Sequence, residues 1–444
     1  MFNRLLGQRN PLGQDTAALR SATSPRRRLS YPLRIASIML AALPVACTQA
    51  PPQPSPDRET RMPTATPLVI AHRGASAYRP EHTLASYALA IEQGADVIEP
   101  DLVPTRDGVL ICRHENEISG TTDVAARPEF ANRRTRKRID GEEVEGWFAE
   151  DFTLAEIRTL RARERLPQLR GGSARYDGEF GIPTFAEVIA LAAAAPRPVA
   201  IYPETKHPTF FAHEGRYLDG TPIHVSLGTL LVEELVRSGF TDATRIYIQS
   251  FELANLIELR DRLLPAAGLD ARLMQLFGDT GTVTAQNRDF ALPHDLRWHA
   301  QRGDDLDALY PGLREVLPVL GQSPVSYGDL GAPAVLHWMQ ARYAYGIAPW
   351  KDNLLPRSTV PDEVLPRLSG TVSPLIAAAH AAGLKVHTYT LRADPGFLVA
   401  DADGRTLPMP QEIALLLAAG IDGYFTDFPD LGVAARDGWK AKAN

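Results

Sequence analysis

Residues 68–102 read LVIAHRGASAYRPEHTLASYALAIEQGADVIEPDL. An apolar run at 68–71 (LVIA) is followed by an amphipathic stretch at 83–93 and a second β-rich run at 97–102 (VIEPDL). Strand, helix, strand is the repeating unit of a parallel sheet, because a parallel neighbour can only be reached through a long crossover. The alternation continues outward from this window. Further β-rich runs lie at 199–203, 245–249, 272–277, 345–348, 385–390 and 422–426. Helical stretches fall at 185–194, 226–238, 252–263, 332–344, 372–382 and 410–419. Thr184-Phe185-Ala186-Glu187 and Thr153-Leu154-Ala155-Glu156 fit capping boxes. Gly383 and Gly420 stand where a helix needs a left-handed residue to stop. Eight such repeats argue for an α/β fold closed as a (β/α)8 TIM-type barrel. An open doubly wound sheet is the alternative, weakened because no G-x-G-x-x-G follows the first strand.

Two stretches break the repeat. Residues 115–182 separate the second strand from its helix, and 278–331, rich in Asp, Gly and Pro, separate the fifth strand from its helix. Both follow strands, so both are expected as insertions on the C-terminal face of the barrel, where such barrels hold their chemistry. They read as a lid or a substrate wall.

The chain has 444 residues, with 53 acids and 47 bases for a net charge of −6. The first 46 residues hold seven arginines and one acid, Asp15, leaving 52 acids against 40 bases in the rest. A body that acidic is a poor generic nucleic-acid binder. Its two cysteines, Cys47 and Cys112, cannot form a disulfide scaffold. Residues 35–46 (IASIMLAALPVA) are too short to span a bilayer, and Pro25-Arg26-Arg27-Arg28 precedes them. Basic region, short apolar region and small residues describe an export signal at 1–47, and the arginine run resembles a twin-arginine signal. Cys47 directly after Ala46 resembles the lipidated cysteine of a bacterial lipoprotein. An uncleaved N-terminal anchor is the alternative. Residues 48–67 carry six prolines among polar residues and read as an extended linker. The body is expected at 68–435, followed by a tail at 436–444. Any membrane contact would come through the N-terminal lipid or signal anchor.

The chemistry gathers at strand ends. The first strand ends in Ala71-His72-Arg73-Gly74, the second carries Glu99 and Asp101, and a turn at Asp107-Gly108 leads on to His114. The third strand ends in Glu204-Thr205-Lys206. Residues i and i+2 of a strand share a face, so Glu99 and Asp101 point the same way. Pro100 between them is awkward in a central strand and suggests that the strand ends there. Crowded carboxylates call for a cation, and a divalent metal with Glu204 as a third ligand satisfies them. Pairing of Glu99 and Asp101 with Arg73 and Lys206 is the alternative. His72 and His114 flank this acidic centre with the titration range for proton transfer at neutral pH. Arg73 and Lys206 are the cations that suit a phosphate. Arg133, Arg134, Arg136, Lys137 and Arg138 form a basic run, read either as a solvated face or as a lid over an anionic substrate. Cys112 reads as a packing residue.

His72-Arg73-Gly74, Pro80-Glu81-His82-Thr83, Glu99-x-Asp101, Thr105-x-Asp107-Gly108 and His114 together resemble the glycerophosphodiester phosphodiesterase family. Glu204-x-Lys206, Gln249-Ser250-Phe251 and Gly423-Tyr424-Phe425-Thr426-Asp427-Phe428-Pro429-Asp430 continue the resemblance, which covers about 68–435. It implies a TIM-type barrel that hydrolyses glycerophosphodiesters to glycerol 3-phosphate and an alcohol. It implies His72 and His114 as acid and base, and one divalent cation, Ca2+ or Mg2+, on Glu99, Asp101 and Glu204. Arg73, Lys206, Gln249 and Tyr389 are the expected substrate contacts, with barrel lining as the plainer reading of Gln249 and Tyr389 and a turn as that of Asp427. The sequence departs from the family pattern at His82, where Asn is more usual, and at Glu115, where Asp is commoner. It also departs at His387-Thr388-Tyr389, where a Trp often lines the site. A non-catalytic lipoprotein that binds glycerophosphate headgroups would be the competing function, but binding alone does not need a paired acid and base.

Overall fold

A computed structural model of the protein describes residues 66–443 apart from Asp362. The export signal and lipidation readings at 1–47, and all but the last two residues of the linker, lie outside the described residues. Among the described residues the repeat closes into a ring of eight parallel strands. They are β1 (Leu68–His72), β2 (Val97–Glu99 and Asp101–Pro104) and β3 (Ala200–Ile201 and Glu204–Thr205). Then come β4 (Tyr247–Ser250), β5 (Arg272–Phe277), β6 (Gly346–Pro349), β7 (Lys385–Leu391) and β8 (Gly423–Thr426). The barrel predicted from the alternation is the fold observed.

Two prolines shape the wall. Neither Pro100 nor Pro203 has an N–H to give to the ladder, so β2 and β3 are each interrupted at that point. Their carbonyls remain in use, Pro100 accepting from the Glu204 amide and Pro203 from the Gln249 amide. The lower part of β2 pairs with β1 and with Ala200–Ile201, while the upper part pairs with Glu204–Thr205. β3 passes on to β4 through Ile201–Ile246 and Glu204–Gln249, and β8 returns to β1. The strand expected to end at Pro100 therefore resumes at Asp101. It then folds back through Gly108, whose φ is 75°, into an antiparallel partner, Leu110–Cys112.

Each strand is followed by a helix: α1 (Leu84–Glu92), α2 (Phe185–Ala193), α3 (Leu227–Ser238), α4 (Leu253–Glu258), α5 (Pro333–Arg342), α6 (Leu375–Ala381), α7 (Met409–Ala419) and α8 (Pro429–Ala443). Thr184 caps α2 in a full capping box with Glu187, and Thr153 and Glu156 form a second one in the first insertion. Gly420 ends α7 at φ 103°, and Gly383 follows α6 at φ 83°. Residues 436–443, within the expected tail, form the last two turns of α8, which continues unbroken to Ala443. No proline or glycine stop separates the two, and Arg436 ties this part of the helix to Asp96.

Apolar faces of strands and helices meet in a large outer core. Inside the ring, Ile70, Val97, Tyr202, Tyr247, Met274, Leu276, Ala348 and Phe425 form a second, separate core. Tyr202 and Tyr247 stack there with ring centroids 4.9 Å apart. The barrel interior is filled, so a ligand can approach the strands only from their C-terminal ends.

The excursions rise from that end. The first holds a hairpin (Thr135–Ile139 with Glu142–Gly146) and several single helical turns. The second holds a run of short helices, of which His294–Arg302 is the longest. The chain after β6 and after β7 adds a small four-stranded sheet, Arg357–Ser358, Arg367–Leu368, Val399–Ala400 and Thr406–Leu407. Strands of two residues have no periodicity to read, so this sheet leaves no trace in the sequence pattern. Cys112 is buried and packed, as expected. The basic run at 133–138 is largely neutralised by acids. Arg133 pairs with Glu156, Arg134 and Arg136 with Glu145, and buried Lys137 with Glu150 and Asp151.

The Thr184 capping box secures the helix that packs against Leu110–Cys112 and Ala200–Ile201. Thr184→Ala should lower stability by about 1 kcal/mol, read as a lower urea midpoint; an unchanged midpoint would show that the box contributes nothing.

Candidate active site

β1 places His72 beside Glu99 of β2. The chain then turns sharply, with Arg73 at φ 61° and Gly74 at φ 85°. A Cβ on Gly74 would lie 2.6 Å from the Ser86 carbonyl carbon, so only glycine fits. The turn aims the Arg73 amide at Glu99 Oε2, 2.9 Å away. His72 Nδ1 lies 2.6 Å from Asp427 Oδ1, just past β8, and this pairing leaves Nε2 as the nitrogen for chemistry. Burial, and then Arg73, push the His72 imidazole down to about 4, against the pull of Asp427.

Glu99, Asp101 and Glu204 are brought together by the two interrupted strands. All three are buried, and a ligand oxygen of each lies within 4.8 Å of the others. Gln249 Nε2 donates to Glu99 Oε1 at 3.0 Å, and His82 Nε2 lies 2.9 Å from Asp101 Oδ2. Lys206 Nζ donates to Glu204 Oε1 at 2.7 Å and stands 4.0 Å from Asp101 Oδ1. Arg73 Nε is 3.4 Å from Asp101 Oδ2. Both cations of the ion-pair alternative therefore reach the cluster, but they do not satisfy it. Asp101 Oδ1 is buried with no hydrogen-bond partner, as is Gln249 Oε1. Burial and the neighbouring Asp101 drive the Glu99 carboxyl well above its ordinary range, and burial pushes Glu204 up to about 8. Burial works against ionised Asp101 as well, but Lys206 and His114 hold it well below its usual value. Three buried carboxylates with an orphaned oxygen are a donor set that fits a hard divalent cation.

His114 faces this cluster from the chain beyond Leu110–Cys112. Its Nδ1 lies 2.6 Å from Glu115 Oε1, so the glutamate that replaces the commoner aspartate still holds the ring. Burial, then Arg73 and Lys206, push the His114 imidazole down to about 3. His82 does not cap α1. Thr83 does, accepting from the Ser86 amide, while the His82 ring is buried between Tyr87 and Asp101. His387 points into the filled interior and lies 3.1 Å from the Tyr202 hydroxyl. Tyr389 reaches the rim, donating to the Phe277 carbonyl at 2.7 Å with its ring edge-on to Phe251.

The remaining parts were not among the residues singled out from the sequence as site residues. Asp427, part of the family motif with a turn as its plainer reading, is the partner of His72 and accepts from Arg170 and Arg392. Glu81 is shared by Arg73 and Arg165. Arg165 also pairs with Glu115, and Arg170 with Asp394. A single arginine in an insertion without periodicity carries no local signal, and only the folded chain shows which carboxylate it meets.

The chain matches the family model described as the glycerophosphoryl diester phosphodiesterase family over residues 72–297 and 333–431. It is 32% identical over 373 residues to a glycerophosphodiester phosphodiesterase of Arabidopsis thaliana, covering 82% of this chain and 84% of that one. It is 30% identical over 392 residues to a glycerophosphodiester phosphodiesterase of Haemophilus influenzae, covering 84% and 90%. A glycerophosphodiester phosphodiesterase of Treponema pallidum is 26% identical over 383 residues, covering 82% and 90%. The match spans the strand ends that carry His72, Glu99, Asp101, His114 and Glu204, and the chain belongs to the glycerophosphoryl diester phosphodiesterase family.

Proposed function

We propose that this phosphodiesterase hydrolyses glycerophosphodiesters to glycerol 3-phosphate and an alcohol, with His72 and His114 exchanging protons and one divalent cation, Ca2+ or Mg2+, held by Glu99, Asp101 and Glu204. The observation that carries the reading is the pairing of two imidazoles, each bound through Nδ1 to a carboxylate, beside a buried carboxylate triad. Each ring keeps Nε2 for a proton at the reacting centre. One takes the proton of the attacking water, or of the substrate's glycerol 2-hydroxyl, and the other supplies one to the departing alcohol oxygen, as in-line displacement at phosphorus requires; on the second route water then opens the cyclic phosphate to glycerol 3-phosphate. When bound at the triad, a divalent cation supplies Lewis-acid stabilisation of the phosphate charge. Arg73 and Lys206, both at the rim of the cluster, add positive charge beside the phosphate oxygens. Both imidazoles are kept neutral by burial, so either can accept a proton. A phosphodiester anion arriving between them favours the protonated form of the one that acts as acid.

The acid–base reading predicts that His72→Ala and His114→Ala each lower kcat by at least about 10²-fold, with little change in KM. Steady-state kinetics on glycerophosphocholine measures this, and near-full activity of either variant ends the assignment.

The metal reading predicts that exhaustive chelation abolishes activity and that added Ca2+ or Mg2+ restores it. Glu204→Gln should weaken cation binding by calorimetry and activity in parallel; activity that survives chelation excludes the metal.

We further propose export, with Cys47 as the lipidated N-terminus of the mature chain. The Arg26-Arg27-Arg28 run, the short apolar stretch at 35–46 and Ala46-Cys47 support it. Mass spectrometry of the mature protein should find Cys47 at the N-terminus carrying acyl chains, and an unmodified Cys47 within a longer chain would refute lipidation.

A further inference from the structure

We infer that Arg165 and Arg170, both from the first insertion, are positioning residues for the two proton-transferring histidines. Arg165 acts on His114 through Glu115, and Arg170 acts on His72 through Asp427. The inference rests on the acid–base reading above and adds that the insertion is part of the catalytic apparatus rather than only a wall around it.

The Arg165 guanidinium uses all three nitrogens. Nη1 donates to Glu115 Oε1 at 3.0 Å and Nη2 to Glu115 Oε2 at 2.6 Å. Nε donates to Glu81 Oε2 at 2.8 Å and Nη2 to Glu81 Oε1 at 2.7 Å. Glu115 Oε1, held in this fork, is the atom that meets His114 Nδ1. Arg170 approaches Asp427 on the other side through a single contact. Its Nη2 donates to Asp427 Oδ2 at 2.5 Å, while Asp427 Oδ1 meets His72. Arg392 Nε supports the same Oδ2 at 2.6 Å. Arg170 is itself fixed by a two-point contact with Asp394, at 3.0 and 2.7 Å, and by the Ser76 carbonyl. Ser76 in turn donates to the His72 carbonyl.

Neither carboxylate is fixed by secondary structure of its own. Glu115 follows His114 in irregular chain, and Asp427 follows β8 in the turn before α8. A carboxylate free to swing lets its imidazole rotate and change tautomer, and the proton then sits on the wrong nitrogen. At Glu115 the Arg165 fork removes that freedom because it matches both oxygens at once, and at Asp427 the contacts of Arg170 and Arg392 pin Oδ2 while Oδ1 meets His72. The two arginines are joined by Leu166-Pro167-Gln168-Leu169, a turn closed by the Leu169 and Arg170 amides on the Leu166 carbonyl. One short rigid segment thus reaches both histidine–carboxylate pairs.

The test uses the full-length metal-loaded enzyme with Arg165→Lys and Arg170→Lys. Lysine keeps the buried positive charge, and so the fold, but cannot hold both Glu115 oxygens in the first variant, or Asp394 and Asp427 together with the same geometry in the second. Each variant should lose roughly 10–100-fold in kcat, as is typical when the partner of a working histidine is disturbed, with little change in KM. Nitrogen-15 NMR of the imidazoles should show a changed His114 tautomer in Arg165→Lys with His72 intact, and the reverse in Arg170→Lys. A cavity of about 300 Å3 borders Arg165, so added guanidinium should restore kcat to Arg165→Ala but not to His114→Ala. Lysine variants with wild-type kcat and unaltered imidazole spectra would overturn the inference. So would a loss of kcat that disturbs both rings alike in either variant, which marks a merely structural role. His72→Ala and His114→Ala, run alongside, separate the two levels. If they stay active the acid–base reading itself fails, and if they are dead while the lysine variants are active only this inference fails.

Discussion

Three carboxylates, Glu99, Asp101 and Glu204, are buried with ligand oxygens within 4.8 Å of one another. Each ionised pair at that separation repels by roughly 3–4 kcal/mol at the effective dielectric of a protein site. Much of the upper barrel can be understood as the arrangement that makes this cluster tolerable. Lys206 and Arg73 bring positive charge to it, and Gln249, His82 and the Arg73 amide supply hydrogen-bond donors. The backbone cooperates at some cost in conformation, because Arg73 and His82 both adopt positive φ, which is uncommon for residues other than glycine. Strain of that kind persists only where the surroundings over-determine it.

From the cluster outward, charge alternates in shells. Arg73 lies against Asp101 and Glu81, Glu81 against Arg165, and Arg165 against Glu115, which meets His114. On the opposite side His72 meets Asp427, which meets Arg170 and Arg392. Most of these groups are buried, where breaking one partner leaves the other uncompensated and is costly. The barrel wall therefore defines the position of the acidic cluster, and the ionic shell defines the orientation of the groups around it.

The sequence made the barrel legible because the alternation of apolar runs and capped amphipathic stretches survives over eight units. It made the acidic cluster and its two histidines legible because they sit at strand ends with i, i+2 spacing or in a dense local motif. The continuation of β2 past Pro100 was not legible, since a proline there reads as an ending. What rescues the strand is that its upper half pairs with Glu204–Thr205 across a second proline break, a coincidence between segments a hundred residues apart. Gln249, expected against substrate, donates to Glu99, and His82, a departure from the family pattern, lies on Asp101. In both cases the residue's place near the site could be read, but the direction of its side chain depends on neighbours that only folding assembles. Arg165 and Arg170 were invisible for the same reason in stronger form.

The filled interior of the ring sets how traffic through this enzyme must run. Ile70, Tyr202 and Phe425 are almost wholly inaccessible beneath the site, so the barrel is a closed-ended vessel with a single mouth. A diester enters, and both fragments of its cleavage depart, across the same rim. The alcohol has no depth to grow into, so a bulkier one extends outward among the insertions. The floor of the opening is thus set by the barrel's own inner core, and the rest of its surroundings by the loops around it.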